Sequence, residues 1–315
     1  MPKLILNRLL LGLLTLFAVS VLIFVCTEIL PGDVASAVLG QGATPEALIV
    51  FRRELGLDQP AYVRYLNWLG GALRGDLGVA LTNKRVIVDE IMPRLRNTLF
   101  LAGYAAVVAI PLAVGLGVFS AINEGRWSDR LANVVTLIAI SLPEFFIGYL
   151  LIIFLAVNVT WFPSLATVNP GMPFGERVYT ATLPAIALTL LVASHMLRMT
   201  RSSVLSVMSS AYVEMAFLKG ARRRRVITRH ALPNAAAPII TVIALNMAYL
   251  VVGVVVVETV FVYPGLGQLM VDAVAKRDVP VIQACGLVFA LVFVTVNTVA
   301  DILVILVNPR LRHRR

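Results

Sequence analysis

The chain has 315 residues, of which 59% are hydrophobic and 14% charged, with a mean hydropathy of +0.89. Soluble globular chains carry about 25% charged residues, so this composition argues against a water-soluble enzyme and excludes disordered, collagenous and disulfide-rich classes. The net charge of +10 fits basic loops beside the anionic face of a lipid bilayer better than nucleic-acid binding.

In chain order, six stretches are apolar over the roughly 20 residues that a membrane helix needs: about 9–30, 98–121, 132–158, 181–199, 236–261 and 282–307. The first is longer than the apolar core of about 7–15 residues in a cleaved signal, so Ala35-Ser36-Ala37 is read as part of the mature chain. Cys26 and Cys285 each sit inside an apolar run and read as packing residues rather than a disulfide or metal pair. No long alternating strand pattern occurs, which leaves an all-α integral membrane protein, a six-helix polytopic bundle. With the long 31–97 loop set aside, an inside N-terminus puts 16 Lys and Arg on the inner side and 3 on the outer. Basic residues concentrate on cytoplasmic loops, so both termini are expected to be cytoplasmic.

Two parts follow: residues 1–97, the first span plus an outer helical loop, and residues 98–315, a five-helix core. In the outer loop, Thr44-Pro45-Glu46 has the capping hydroxyl, early Pro and first-turn acid of a helix start, and Gly56 a stop. A second helix is expected from about Pro60 to Leu73. Its apolar positions Tyr62, Tyr65, Leu66, Leu69 and Leu73 face the membrane surface or neighbouring loops. Gly75-Asp76-Leu77-Gly78 supplies a turn. The cytoplasmic segment at about 200–235 is polar, helix-compatible and basic. Arg222 to Arg225 fit a lipid-surface anchor. The apolar turn Met215 to Leu218, ending at Gly220, suggests docking to a soluble partner.

Nucleotide-binding, zincin and nucleophile-elbow motifs are absent, and the three histidines are scattered. No catalytic, cofactor-binding or metal-binding residue is assigned, and the chain is not expected to be an enzyme. Ionisable residues inside spans are costly and face a cavity or a partner. Glu144, near the middle of the third span, and Glu258, near the outer end of the fifth, are the candidate pathway residues; for each, a helix–helix hydrogen bond is the alternative. Asp301 and His195 fit such hydrogen bonds, and Asn246 and Asn297 fit interhelical contacts.

Segment 214–233 reads Glu214-Met215-Ala216, then Gly220, then after nine residues His230-Ala231-Leu232-Pro233. It resembles the E-A-A-x-x-x-G-x(9)-I-x-L-P loop of bacterial ABC-importer permeases. Met215 and His230 depart from it. Further landmarks are Pro31-Gly32-Asp33, Gly56-Leu57-Asp58 with Pro60, Gly75-Asp76-Leu77-Gly78, Glu258-Thr259-Val260-Phe261, Tyr263-Pro264-Gly265-Leu266-Gly267, Arg277-Asp278 and Pro309-Arg310. Together they resemble the B-type permease of the dipeptide/oligopeptide/nickel family along essentially the whole chain. Ala211 and Asn308 stand where that family commonly has Asp.

The resemblance implies a type I ABC-importer permease in the bacterial inner membrane, paired with a second permease as a heterodimer. Two separate ATPase subunits would bind ATP and Mg, and this chain would hold no cofactor. An extracytoplasmic solute-binding protein would deliver the solute. The ATPase-coupling loop would comprise Tyr212, Glu214, Ala216, Phe217, Leu218, Gly220, Leu232 and Pro233. Di- or oligopeptides are the expected solute, with nickel, glutathione or an opine as alternatives. A secondary transporter would need inverted repeats, and no clear internal repeat is present; a non-transport scaffold would not need intramembrane carboxylates.

Overall fold

The computed structural model describes residues 2–29, 44–54, 56, 58–169 and 171–307. The sequence landmarks Pro31-Gly32-Asp33, Ala35-Ser36-Ala37, Leu57 and Asn308-Pro309-Arg310 lie outside them, as do the side chains of Phe217 and His230. Helix α1 (Pro2–Ile29) is followed by α2 (Pro45–Glu54), α3 (Ala61–Leu73) and α4 (Ile87–Ile122). Next come α5 (Trp127–Ser141), α6 (Glu144–Leu151) with a π-helical extension Ile152–Asn158, and α7 (Phe174–Met208). Helices α8 (Ala211–Leu218) and α9 (Arg223–Val226) lead through the π turn Ile227–Ala231 into α10 (Leu232–Val260). Helices α11 (Leu266–Lys276) and α12 (Val279–Val307) complete the described chain.

Five helices (α1, α4, α7, α10 and α12) are long and apolar enough to cross a membrane. The third expected span, 132–158, is not one helix but α5 and α6 with its extension, bent by 105°. The cause is local. Proline disfavours the helical region in the residue before it and offers no N–H. Leu142 (φ −87, ψ 138) and Pro143 (φ −60, ψ 141) are accordingly extended, and Glu144 opens a new helix.

Helix α7 lies at the centre, packed by α4, α5 and α10, while α1 packs along α12 at the edge. In the most apolar stretch of each, 78% of α7 is buried but only 11% of α1. Close approach of α4 to α7 rests on small residues. Ala102, Ala105, Ala109, Ala113 and Gly117 recur at helical spacing on the buried face of α4. At Gly117 a Cβ would stand 2.8 Å from the Thr200 Cβ, so only glycine fits. Interior-facing Leu183, Leu188, Val192 and Met196 of α7 fill the space between these backbones.

On the opposite side of the bundle from α8, the loops are tied down by polar contacts. Helix α3 starts one residue after Pro60 and meets α1 through Tyr65, whose ring stands 5.4 Å from Phe24 and whose hydroxyl is 2.9 Å from the Ser20 Oγ. Of its other expected apolar positions, Tyr62, Leu66 and Leu73 are exposed. A tight turn closed by Val79 and Val86 presents Thr82, whose N–H and Oγ1 both donate to Asp278 Oδ2 at 2.9 Å.

Candidate functional site

Helix α7 projects beyond the core, ends at Ser209-Ser210, and turns into α8. The Ser210 carbonyl accepts from the N–H groups of Val213 (3.0 Å) and Glu214 (3.1 Å), starting the new helix at once. Val213 is fully buried and pins α8 to the bundle. Tyr212, Met215 and Leu218 are 47%, 53% and 75% exposed, so the helix shows solvent an apolar surface that the chain does not cover. Glu214 is also exposed and Ala216 half-buried. Gly220 ends the turn in the left-handed region (φ 75), and the Ala221 N–H donates to the Ala216 carbonyl at 3.2 Å. That reach of five residues with a left-handed residue before it is a Schellman closure, which favours glycine. Space around Gly220 is open.

The return is anchored more deeply. Val226, Ile227 and Ala231 are buried, and Leu232 packs against Ala121, Val204, Ala235 and Ile239. Pro233 lies exposed at the start of α10, directly after the π turn. The motif residues therefore divide: Leu232 belongs to the packed junction, while Tyr212, Glu214, Leu218 and Gly220 are presented outward.

One residue in this region escaped the sequence reading. Asp129, in the first turn of α5, is buried and accepts from Arg201 of α7 through Nε at 2.7 Å and Nη2 at 2.8 Å. It also accepts from the Ser120 Oγ (2.5 Å) and the Gly125 N–H (3.0 Å). This bidentate pair locks the α4–α5 turn to the end of α7 that leads into α8. In sequence Arg201 counts only among the basic residues of the inner side. A partner 72 residues away carries no local signal.

The two intramembrane carboxylates differ sharply. Glu258 has no exposed surface. Its Oε1 accepts from the Thr98 hydroxyl at 2.6 Å, and its Oε2 from the N–H groups of Gly267 (2.7 Å) and Gln268 (3.2 Å). Thr98 in turn accepts from the Leu266 N–H at 2.8 Å. The carboxylate thus satisfies the open donors at the start of α11. The glycines of Tyr263-Pro264-Gly265-Leu266-Gly267 make room for it: a Cβ at Gly265 would fall inside the carboxylate, and one at Gly267 would stand 2.9 Å from Oε2.

Glu144 opens α6 at the bend, half-buried. Its Oε1 is enclosed without a hydrogen-bond partner among the described residues, and lies 3.3 Å from where a Cβ on Gly253 would be. A glycine at 253 is what lets the carboxylate approach α10.

The remaining ionisable and amide residues of the spans resolve individually. Asp301 pairs with Arg8 at 2.9 Å, joining α12 to α1. Asn246 and Asn297 each donate one amide N–H to their own helix, to the Val242 and Phe293 carbonyls. His195 lies exposed on α7, its ring 6.4 Å from that of Tyr249. Among the described residues, no cluster of three His, Cys, Asp or Glu side chains could hold a metal.

Residues 113–313 match the family described as binding-protein-dependent transport system inner membrane component, and residues 1–102 match the N-terminal model of such membrane components. The chain is 38% identical over 306 residues to the glutathione transport system permease protein GsiC of Escherichia coli (strain K12), covering 97% of each chain. It has the same identity and coverage with the protein of that name from Shigella dysenteriae serotype 1 (strain Sd197). With several membrane-crossing helices on top of these matches, the chain belongs to the inner-membrane permeases of ABC importers of the dipeptide/oligopeptide/nickel type.

Proposed function

We propose that this permease forms half of a pathway for small peptides and is driven through α8 by partner ATPase subunits. The observation that carries the coupling role is the apolar surface of Tyr212, Met215 and Leu218, held outward on a helix that Val213 and the Gly220 closure fix in place. An exposed apolar turn on a rigid mount suits a groove on a soluble partner. ATP and Mg are held by those ATPases, a second permease completes the pathway, and a binding protein delivers the solute to the side bearing residues 44–97. The glutathione transport of the relatives narrows the solute class toward glutathione, itself a tripeptide. Glu144 rather than Glu258 is assigned to the pathway, since Glu258 is held by its own chain's donors while the half-buried Glu144 has a carboxylate oxygen that no described residue bonds. A lipid-facing carboxylate at that depth would cost roughly 2.5–3.5 kcal/mol on insertion scales for charged residues.

Gly220→Trp tests the coupling. The left-handed backbone strains any side chain there, and the open space around it puts an indole against the docked partner. Uptake and solute-stimulated ATP hydrolysis are expected to be lost while the protein still inserts; wild-type values of both would refute the docking role of α8. Orientation is checked separately in intact cells. A membrane-impermeant thiol reagent is expected to label Asn83→Cys but not Ser209→Cys, and the opposite pattern would place α8 on the wrong side for an ATPase.

A further inference from the structure

Helix α7 carries a charged face that the core does not use. Its buried face includes Met196, Leu197, Thr200 and Val204, whereas His195, Arg198, Met199 and Ser202 are exposed along one side, at the three-, four- and seven-residue spacing of a single helical face. With Ile140 at the end of α5 they line a cleft of about 320 Å³. The apolar stretch 181–199 is centred on residue 190, so His195 and Arg198 lie about 8 and 12 Å along the axis from its centre at 1.5 Å per residue, toward its inner end and inside a hydrocarbon half-thickness of about 15 Å. A histidine and an arginine at that depth face water or a polar partner rather than lipid tails.

Tyr249 stands between the cleft and Glu144. At Gly253, where the Glu144 Oε1 approaches to 3.3 Å of a Cβ position, the Tyr249 ring lies 3.8 Å away and Leu188 of α7 3.9 Å away. Tyr249, half-exposed, then stands 6.4 Å from the His195 ring. A line therefore runs from a carboxylate at the bend, past a phenol, to an imidazole and a guanidinium. We propose that the His195–Arg198 cleft is a carboxylate subsite on the solute pathway, taking the C-terminal end of a peptide whose ammonium group meets Glu144.

The spacing sets a length. From Leu188, opposite Glu144, to His195 and Arg198 is about 10 to 15 Å along α7. An extended chain covers at most about 3.3–3.6 Å per residue, so the two ends suit three to four residues. Arg198 supplies the permanent charge and a planar fork matched to a carboxylate.

This subsite rests on the importer reading, and its test separates the two. The complete importer, with partner permease, ATPases and binding protein, is reconstituted in vesicles with Cys26→Ala, Cys285→Ala and Ser202→Cys. Labelling is followed with an anionic (sulfonatoethyl) and a cationic (aminoethyl) methanethiosulfonate. The cleft is expected to favour the anion, and Arg198→Gln to lower the anion-to-cation rate ratio by about tenfold, the lower end of what charged clefts do to counter-ion concentration. Trialanine is expected to slow both reagents by at least about threefold, a fall set by occupancy of the cleft, while trialanine amide does not. An unchanged ratio, no protection by trialanine, or equal protection by the amide would each overturn the subsite. If Arg198→Gln does not assemble, the contrast between trialanine and its amide at Ser202→Cys decides alone. Uptake of radiolabelled trialanine without protection sinks the subsite but leaves the importer reading; no uptake of any tripeptide sinks the peptide reading beneath it.

Discussion

Glu258 and Glu144 are two acids of the same type within membrane-spanning segments, and the chain treats them oppositely. Glu258 is surrounded by donors: a threonine hydroxyl from α4 and two N–H groups from the start of α11. Glu144 stands at a break in a span, with one enclosed oxygen unpartnered among the described residues. A carboxylate with all its bonds made inside the chain is part of the scaffold. One with an unmade bond is left for a partner that the chain itself does not supply. The number of donors within reach, more than depth in the membrane, separates the two roles.

The largest expected effect strikes the satisfied end of this comparison. In Gly265→Val, the new Cβ would occupy the place of the Glu258 carboxylate. Overpacking costs about 1–3 kcal/mol, and each donor orphaned when the carboxylate is displaced costs about 1–3 kcal/mol more. The variant is expected to fail to accumulate in the membrane; wild-type abundance with an unchanged melting temperature in detergent would show that the knot around Glu258 is dispensable. A smaller loss is expected at Asp129→Ala, which leaves Arg201 without its buried partner. Removing one member of a buried pair costs about 3–5 kcal/mol, and the Arg201 side chain keeps 21% exposure, so about 2–3 kcal/mol is expected here. Thermal unfolding of the purified complex measures it, and Asp129→Asn, which keeps some of the acceptor capacity, should lose less.

Much of this was legible in the chain itself. Pro45 and Gly56 mark the ends of α2, and Gly220 closes α8 where a left-handed residue is needed. Five of the six expected spans are single helices. Pro143 was visible too, but a proline within a span is compatible with either a kink or a full break. The extended Leu142-Pro143 pair decides between them, and sequence does not state backbone angles. The Asp129–Arg201 lock and the Thr98 hydroxyl on Glu258 join residues 72 and 160 positions apart. Only the packed fold brings such residues together, which is why the two glutamates look alike in sequence and differ in space.

The direct test sets Glu144→Gln beside Glu258→Gln in the complete importer, with abundance in the membrane and tripeptide uptake per assembled complex measured for both. Glu144→Gln is expected to assemble at wild-type abundance and to lose at least about tenfold in uptake, the effect of about 1.4 kcal/mol of lost solute contact. Glu258→Gln is expected to lower abundance while each assembled complex still transports. Full uptake by Glu144→Gln, or normal abundance with failed transport in Glu258→Gln, would contradict the division of roles between them.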